Sequence, residues 1–579
     1  MKTFGKVVLW IFAVFGFLML IFMIWIWRSF PAKKEVKILD NTYLELNLSG
    51  MHYDYNEYDN VFFIKEEMSI GDICRKIDNA MIDPRIKGII LKPQIYFGGW
   101  ALTKELRDKL IEFRESGKEL YAYINMTYDK GYYLASPAQK IYLNPSSTAG
   151  IVLAGIGVEL NYYEGLLEKI GLDVTVLHAG KYKGSGETFD RRTMTPGMKT
   201  NIDIMLDGLF QTYTVDLQSS RNLSPAKIDS IFNQRSEYFI SGIQALEMNL
   251  VDYLGDEEKF TCEIIGDNPV VNITDYPADL QRYSYDKIAV LYAQGGITFS
   301  EAGMFDSDYR RITEQKTIHQ LERIEKMRSV KGLVLRVDSG GGSALVSDII
   351  LKKLEQLNEK IPVVISMGNV AASGGYWISS QADYIFAQPN TITGSIGVVS
   401  MIPNWQSLRQ WAEVNTYQLK RGKYALFFSP NFTPSNEDIA ILQNDMNTLY
   451  LEFKDLVAHG RHLPLTEVEE IAQGRIWTGL QAVENGLIDE LGGLDDAIRK
   501  AAELASLDEY GTLILPEKKT LIDILLKSDL GISAVTLLKL YAGDLEVPFV
   551  KQFDEGAELL KSSLNDPFQL RMPYQLTIQ

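Results

Sequence analysis

Val363-Val-Ile-Ser-Met-Gly-Asn-Val-Ala-Ala-Ser-Gly-Gly-Tyr-Trp-Ile is an apolar run that ends in small residues and passes into a second apolar run. Uninterrupted apolar and β-branched residues are typical of a strand that is covered on both faces in a parallel sheet. Glycine lets the backbone turn sharply. We therefore predict a buried strand, a tight turn around Ser373 and a helix that begins directly after it.

The surrounding sequence alternates between strand and helix in the same way. Apolar runs at residues 288–292 and 332–337 predict two more buried strands, and residues 344–357 carry apolar side chains at helical spacing. A longer helical stretch follows at residues 437–457. Strands that alternate with helices form parallel βαβ units, so we predict the α/β class.

The whole pattern occurs twice in the chain. Lys331-Gly-Leu-Val-Leu-Arg has a counterpart in Lys87-Gly-Ile-Ile-Leu-Lys, and Gly375-Tyr-Trp-Ile-Ser-Ser has one in Gly131-Tyr-Tyr-Leu-Ala-Ser. Further pairs at a similar interval are Gly180-Lys-Tyr with Gly422-Lys-Tyr, Thr195-Pro with Thr433-Pro, and Gly242-Ile-Gln-Ala with Gly479-Leu-Gln-Ala. Matches at a nearly constant interval indicate two copies of one unit.

The length of 579 residues agrees with more than one hydrophobic core. We predict an N-terminal anchor at residues 1–28, copy one at residues 29–285, copy two at residues 286–505 and a helical tail at residues 506–579. The tail contains an amphipathic stretch at 521–540 and a short apolar run near its end that predicts a strand.

Residues 7–27 are free of charge, and lysines and arginines flank them on both sides. At ~1.5 Å per residue a helix of this length crosses the ~30 Å hydrocarbon core of a bilayer. The following Arg28-Ser-Phe-Pro is a poor site for signal peptidase. We predict a single-pass signal-anchor in the inner (cytoplasmic) membrane, with the body on the periplasmic side; a removed signal peptide is the alternative.

Composition excludes some function classes. The net charge of −17 disfavours nucleic acid as a partner, because binding phosphates requires a basic surface. Cys74 and Cys262 show no CxxC spacing, so no metal-ligand framework is indicated. The two cysteines are either free thiols or one disulfide.

Two candidate elements for catalysis follow neighbouring strands. Ser373 lies at a strand-to-helix turn, where unbonded backbone N–H groups can bind a developing oxyanion. Asp338-Ser-Gly-Gly-Gly-Ser follows the other strand, and its amides can form an anion cradle. Both lie at the carboxyl ends of parallel strands, where α/β sheets bind ligands. The alternatives are a small-residue turn that only packs for the first element and a flexible turn for the second. Copy one has the bulkier Ile95-Tyr-Phe-Gly-Gly at the place of the cradle.

A serine nucleophile needs a base. Among the five histidines, His178 remains an alternative, whereas the sequence context of the others predicts no triad. Lys183 lies among glycines in Gly180-Lys-Tyr-Lys-Gly-Ser-Gly. Lowering a lysine pKa from ~10.4 to near neutrality requires a bias of ~4 kcal/mol against the ammonium form, which burial supplies. A solvated surface lysine is the alternative.

The two copies differ at both of these positions. Ser373 of copy two stands opposite Asp129 of copy one, and Lys183 of copy one stands opposite Ala425 of copy two. One copy therefore keeps a candidate nucleophile, and the other keeps a candidate base.

Over nearly the whole chain, these motifs resemble the signal peptide peptidase A (protease IV) family in its long membrane-anchored form. The resemblance implies that Ser373 is the nucleophile and Lys183 the general base. It also implies that Ser395, in Thr393-Gly-Ser-Ile-Gly, orients the lysine amine. The amides of Gly342 and Gly374 would form the oxyanion hole.

The resemblance further implies tandem Clp/crotonase-like α/β domains, a dome-shaped homotetramer and no metal or cofactor. The implied substrates are apolar segments, chiefly signal peptides already cut from exported proteins. The chain departs from the family at Gly340, where the family usually has proline. Lys181 is a second lysine near the predicted base, but copy two retains Lys423 opposite it, which favours a structural role.

Two other functions compete with a serine endopeptidase. An acyl-CoA-processing enzyme of the crotonase type would use the glycine-loop amides, but it would need catalytic carboxylates and a cytoplasmic site. A non-catalytic membrane scaffold would use the duplicated fold alone. The pairing of Ser373 with Lys183 behind an export anchor favours the peptidase.

Overall fold

The computed structural model describes residues 36–57, 68–277, 284–300, 310–431, 433–518 and 569–571. The predicted anchor at residues 7–27, the amphipathic stretch at 521–540 and the strand predicted near the end of the chain lie outside these ranges. Within the described ranges, no helix combines the length and the apolar character needed to cross a bilayer.

Copy one is built on a parallel sheet. Its strands are β1 (Thr42–Met51), β2 (Ile86–Phe97), β3 (Glu119–Ile124), β4 (Met126–Tyr128), β5 (Lys140–Leu143), β6 (Gly150–Val152), β7 (Asp173–Ala179), β8 (Phe239–Ser241), β9 (Tyr253–Leu254) and β10 (Val270–Asn272). Six of them pair in the order β10-β1-β2-β3-β5-β9, all parallel, and β4-β6-β8 form a small second sheet.

The helices of copy one cover this sheet. They are α1 (Ile70–Ile82), α2 (Trp100–Glu115), α3 (Asp129–Ala135), α4 (Glu164–Lys169), α5 (Glu187–Asp190), α6 (Pro196–Arg221), α7 (Pro225–Asp229), α8 (Gly242–Glu247) and α9 (Glu257–Phe260). Two π-helical turns (Ser230–Gln234 and Thr261–Ile265) and one 3-10 turn (Ile273–Asp275) complete the copy. Leu106, Leu110 and Phe113 of α2 are fully buried, as expected for a helix that packs one apolar face on a sheet.

Copy two repeats the arrangement. Its strands are β11 (Lys287–Gln294), β12 (Gly296–Thr298), β13 (Arg311–Thr313), β14 (Val330–Ser339), β15 (Gly341–Ser343), β16 (Val363–Ala372), β17 (Tyr384–Ala387), β18 (Ile392–Gly394), β19 (Val398–Asn404), β20 (Ile476–Thr478), β21 (Glu490–Leu491) and β22 (Gly511–Leu515). Its helices are α10 (Glu314–Lys326), α11 (Ala344–Asn358), α12 (Gly374–Trp377), α13 (Gln406–Trp411), α14 (Asn436–Arg461), α15 (Leu465–Ile471), α16 (Gly479–Glu484) and α17 (Leu494–Leu504).

The predicted strands and helices of copy two are confirmed. β11, β14 and β16 pair in parallel at the centre of the sheet, and Leu333, Val334 and Leu335 of β14 are fully buried. The predicted helices correspond to α11 and α14. The α/β class and the tandem duplication therefore follow from the sequence pattern.

The C-terminal region contributes strands to copy two. β22 pairs in parallel with β11, beyond the boundary predicted at residue 505. A last strand, β23 (Gln569–Arg571), runs antiparallel to β15 and also pairs with Val399 of β19. The described parts of the predicted helical tail thus extend two sheets. The sulfur atoms of Cys74 and Cys262 are free thiols.

Copy one reaches into copy two through β7 and α6. All seven residues of β7 pair antiparallel with β19, which adds β7 to the sheet ordered β13-β12-β15-β23-β19-β7. Beyond β7, one face of α6 forms a shared apolar cluster with copy two, made of Met198, Ile202, Met205, Leu209, Ala372, Ile392 and Ile476. These contacts carry the segment between β7 and α6, which contains Lys183, onto copy two.

A buried ion cluster also joins the copies. The Arg336 guanidinium on β14 is 1% exposed and donates to Asp54 (2.6 Å) and to Glu105, both from copy one. A further nitrogen donates to the Ser366 hydroxyl at 2.7 Å. Removing one partner of such a cluster leaves a buried charge uncompensated.

Replacing Arg336 with methionine should lower the free energy of unfolding by about 3–5 kcal/mol, because Asp54 and Glu105 would lose their cation. Urea unfolding followed by tryptophan fluorescence measures the change. Arg499→Met is the matched control, since the exposed pair of Arg499 with Asp496 should contribute ~1 kcal/mol or less. Equal losses in the two variants would show that the buried cluster stabilises no more than a surface pair.

Candidate active site

Ser373 occupies a strained turn between β16 and α12. Its backbone has φ 56° and ψ −116°, which is unfavourable for a residue with a Cβ atom. The turn is held by hydrogen bonds from the Ser373 N–H to the Gly394 carbonyl and from the Trp377 N–H to the Ser373 carbonyl, both 2.8 Å. The side chain is fully buried, so protein atoms rather than bulk solvent surround its hydroxyl.

Lys183 reaches this turn from the other copy. It lies in the loop between β7 and α5 and is 2% exposed. Its Nζ is 2.7 Å from the Ser373 Oγ, 2.7 Å from the Ser395 carbonyl oxygen and 3.0 Å from the Ser395 Oγ. The structure thus brings together the serine and the lysine that sequence reasoning singled out.

The electrostatics of this contact favour a neutral amine. Burial lowers the pKa of Lys183 well below the usual lysine value. A neutral amine has two N–H donors and one lone pair. Ser395 offers two oxygens that can accept those N–H groups, which leaves the lone pair to accept the hydroxyl proton of Ser373. Such a contact would allow the amine to act as a base toward the hydroxyl.

Ser395 sits in a second strained turn, between β18 and β19. Its φ is 51°, and its N–H donates to the Arg475 carbonyl at 2.6 Å. The neighbouring Thr393 hydroxyl donates to the Ala371 carbonyl at 2.6 Å, which ties this turn to the strand that carries Ser373. The position predicted to orient the lysine amine is therefore anchored on both sides.

The glycine loop lies against the turn of Ser373. A Cβ atom at Gly342 would fall 2.0 Å from the Ile297 carbonyl oxygen, and one at Gly375 would fall 2.5 Å from the Ser339 carbonyl oxygen. Only glycine permits these two close approaches. Gly374 opens α12, where a backbone N–H has no intrahelical acceptor. Gly342 and Gly374 thus lie on two adjoining elements, β15 and α12.

The equivalent place in copy one holds a carboxylate. Asp129 begins α3 and accepts hydrogen bonds from the N–H groups of Ala154 (2.9 Å) and Gly155 (3.0 Å) and from the Tyr213 hydroxyl (3.1 Å). Burial raises the pKa of Asp129. The carboxylate satisfies the backbone there, so this site serves packing and has no hydroxyl nucleophile at the position of Ser373.

The alternative bases lie elsewhere. Lys181 is exposed, with its amine 5.3 Å from the centre of the Tyr182 ring. His178 is on β7 opposite Val399 and is also exposed. Among the described residues, no group of His, Cys, Asp and Glu side chains is arranged to hold a metal ion.

Sequence reasoning missed the segment Gln473–Arg475. It belongs to copy two, yet the Gln473 carbonyl accepts a hydrogen bond from the Tyr182 N–H at 2.7 Å. A short Gln-Gly-Arg segment before a strand has no reactive pattern of its own. The sequence signal is a single glycine between polar residues, which is common in turns.

Residues 112–264 and 355–508 each match Peptidase family S49, and together they make up more than half of the chain. The chain belongs to peptidase family S49. The two matches fall in copy one and copy two, so both units of the duplication carry the family's sequence.

Relatives of nearly the same length support the assignment. The chain is 32% identical to Protease 4 of Haemophilus influenzae over 530 residues, which cover 85% of this chain and 83% of that protein. It is 32% identical to Protease 4 of Salmonella typhi over 539 residues, with 88% and 84% covered. It is 29% identical to the chloroplastic serine protease SPPA of Arabidopsis thaliana over 472 residues, with 79% and 68% covered. These findings confirm the predicted resemblance and make the chain a serine peptidase.

The solved structures add little to this. A ClpP1 mutant from Listeria monocytogenes corresponds to 36% of this chain and 94% of that chain, with 13% sequence identity and a TM-score of 0.24. A score of that size carries no argument about the fold. Family membership, by contrast, favours a peptidase over an acyl-CoA enzyme or a scaffold.

Lys183→Met should change the pH dependence of stability. The folded chain holds this amine neutral, whereas the unfolded chain protonates it below ~10.4, so the unfolded state binds one proton more in that interval. The free energy of unfolding of the unchanged protein should therefore rise by up to ~1.4 kcal/mol per pH unit relative to Lys183→Met as the pH increases toward ~10.4.

Urea unfolding at several pH values measures this slope. Lys181→Met is the matched control, because Lys181 is exposed. The free energy of unfolding of this variant should differ from that of the unchanged protein by an amount that does not depend on pH in this way. If the difference in the free energy of unfolding between Lys183→Met and the unchanged protein is also independent of pH, the folded chain keeps this amine charged.

Proposed function

We propose that the chain is a membrane-anchored serine endopeptidase that degrades cleaved signal peptides and other apolar segments with a dyad of Ser373 and Lys183. The observation that carries the proposal is the 2.7 Å contact between the Lys183 Nζ and the Ser373 Oγ at a buried site. Such a distance is within the reach required of a general base. The finer fold assignment, tandem Clp/crotonase-like domains, belongs to the same proposal.

The mechanism follows from the contacts of the two side chains. The Ser373 Oγ attacks the scissile carbonyl carbon while Lys183 takes the hydroxyl proton. Lys183 then gives that proton to the leaving amine, and the peptide C–N bond breaks to leave an acyl-enzyme. A water molecule, deprotonated by Lys183, attacks the ester, and the proton returns to the Ser373 oxygen as the acid product leaves.

Ser395 and the two glycines have supporting roles in this proposal. Ser395 orients the amine through its hydroxyl and carbonyl oxygens, which lie 3.0 and 2.7 Å from the Nζ. The amides of Gly342 and Gly374 donate to the oxyanion that forms on the substrate carbonyl. Preorganised backbone donors of this kind stabilise the transition state without reorganising.

Substrates would bind as extended strands beside the glycine loop. β23 supports this mode, because an extended segment of the chain pairs antiparallel with β15 at Gly342, and a substrate strand would take its place. Pairing through the backbone is insensitive to sequence, so side-chain pockets would set the preference. A putative signal peptide peptidase SppA of Enterococcus faecium is 37% identical over 217 residues, covering 37% of this chain and 62% of that protein. Its name supports signal peptides as the substrate class.

The membrane anchor of the proposal is residues 7–27, whose length and lack of charge suit a bilayer span. It would leave the peptidase body on the periplasmic side of the inner membrane. Apolar segments released at the membrane would then lie near the site.

We also propose that the chain forms a homotetramer. Copy one extends residues 157–195 over copy two, where β7 pairs with β19. The corresponding segment of copy two, residues 405–431, is instead mostly exposed. Its large side chains include Trp411 (81% exposed), Tyr417 (89%) and Leu419 (76%). A set of exposed apolar residues of this kind marks an interaction surface.

The duplication indicates what covers this surface. By the register of the duplication, the residues of copy one that follow β6 correspond to β19, the strand that receives β7 on copy two. The exposed segment of one chain would therefore pack on copy one of the next chain. A head-to-tail contact of this type forms a ring when the rotation between successive chains closes, and the proposal is that it does. The resemblance to the family sets the number of chains at four.

Ser373→Ala and Lys183→Ala should each lower hydrolysis of a fluorogenic apolar peptide by about 10⁴-fold or more, since each removes one member of the dyad. Circular dichroism should show unchanged folding. Lys181→Ala is the control and should retain activity, and hydrolysis by the unchanged protein should persist in excess chelator. Substantial turnover by either dyad variant would refute the assignment.

Trp411→Glu combined with Leu419→Glu should convert the detergent-solubilised tetramer to smaller species, because it places charge in the proposed contact between chains. Light scattering after size-exclusion chromatography measures the mass. Tyr285→Glu, at another exposed aromatic residue (73%), is the control and should remain tetrameric. An unchanged mass in the double variant would place the contact between chains elsewhere.

A further inference from the structure

The segment Gln473–Arg475 links the two halves of the candidate site. It lies between α15 and β20 of copy two, and both Gln473 (φ 59°) and Gly474 (φ 76°) adopt the left-handed conformation. Two successive residues in this region form an unusual turn, and a non-glycine residue pays for it in strain. Strain that persists in a folded protein points to a constraint worth explaining.

One side of the segment holds the lysine loop of copy one. The Tyr182 N–H donates to the Gln473 carbonyl at 2.7 Å, and the Lys181 N–H donates to the Gln473 side-chain oxygen at 3.0 Å. The Arg475 guanidinium lies 4.0 Å from the centre of the Tyr182 ring and donates to the Tyr182 hydroxyl at 3.0 Å. The two residues before Lys183 are therefore fixed to copy two.

The other side of the segment holds the turn that contains Ser395. The Ser395 N–H donates to the Arg475 carbonyl at 2.6 Å, and the Gly474 N–H donates to the Ile396 carbonyl at 2.8 Å. The same three residues thus contact both the segment that carries the amine and the segment that carries its acceptors.

Gly474 lies directly against the backbone of Lys183. A Cβ atom at Gly474 would fall 2.5 Å from the Lys183 nitrogen and 2.6 Å from its Cα atom. Asn201 of α6 also contacts this segment, because its side-chain nitrogen donates to the Gly474 carbonyl at 3.4 Å and its side-chain oxygen accepts from the Ile476 N–H at 3.0 Å. Any side chain at position 474 must therefore move Lys183 or the turn.

We propose that Gln473–Arg475 is a positioning segment that holds the Nζ of Lys183 next to Ser373 and excludes water from that amine. We call this segment the clamp. None of its residues contacts the reacting atoms, so it acts through Lys183. The inference rests on the proposed dyad.

The physical need for a clamp comes from the lysine side chain. It is long and flexible, and it loses much rotamer freedom when its amine is held in one place. A displacement of about 1 Å in a catalytic group costs about 10²-fold in rate. A loosened loop would also admit water, and the pKa of Lys183 would then rise toward its usual value.

Gly474→Ala and Gly486→Ala form a matched pair of variants. Both glycines have nearly the same left-handed backbone, with φ of 76° and 73°, so alanine causes similar backbone strain at each. A Cβ atom at Gly486 would meet only the Leu463 side chain, at 3.4 Å. The pair therefore separates the effect of backbone strain from the effect of a steric clash with Lys183.

We expect Gly474→Ala to lower kcat for peptide hydrolysis by about 10²-fold with little change in KM. The pH at which kcat/KM is half-maximal should also move upward, because a wetter amine has a higher pKa. Gly486→Ala should leave kcat, KM and the pH profile as in the unchanged protein. Thermal unfolding of both variants establishes that they are folded.

Arg475→Met keeps the test decisive if Gly474→Ala does not fold. It removes the contacts with Tyr182 while leaving the backbone of the clamp intact. We expect a lower kcat and an upward shift of the pH profile, in the same direction as for Gly474→Ala. Arg475→Lys, which keeps a cation over the Tyr182 ring, should show a smaller change.

The outcomes separate the clamp from the dyad. Loss of activity in Lys183→Ala, together with unchanged kcat and pH profile in the folded clamp variants, would overturn the clamp and leave the dyad intact. Activity retained in Lys183→Ala would overturn the proposed function itself. Equal effects of Gly474→Ala and Gly486→Ala would assign the loss to backbone strain rather than to the position of Lys183.

Discussion

A buried amine surrounded by serine oxygens is the interaction on which the rest of the site depends. The Nζ of Lys183 contacts the hydroxyls of Ser373 and Ser395 and one carbonyl oxygen. A carboxylate beside it would favour the charged amine, whereas burial favours the neutral amine that the proposed mechanism requires. Keeping water out requires close packing, and the glycines around the site are the residues that permit it.

The duplication explains how such packing is achieved. Copy one delivers the lysine through β7, which pairs along its whole length with β19 of copy two. The buried cluster of Arg336 and the apolar face of α6 fix the same relative position of the copies. At the vacated place in copy one, Asp129 satisfies backbone N–H groups instead. On the proposed mechanism each copy supplies one member of the dyad, and the contact between the copies is part of the site.

Much of the arrangement could be predicted from the sequence, for identifiable reasons. The apolar runs predicted β14 and β16, and the glycine-rich turn predicted the place of Ser373, because these patterns are local. Comparing the copies singled out Lys183. Three contacts were not predictable: the pairing of β7 with β19, the partners of Arg336 and the clamp at Gln473–Arg475. They join residues far apart in sequence, and each looks ordinary in its own neighbourhood.

The division of the dyad between copies bears on synthesis. Lys183 leaves the ribosome 190 residues before Ser373. On the proposed mechanism, a growing chain that has folded only its first domain carries an idle amine, and a fragment with only the second carries an idle alcohol. Hydrolytic power arises only after translation has passed both and the domains have docked. On that mechanism, a truncated product that lacks either domain cannot hydrolyse neighbouring proteins.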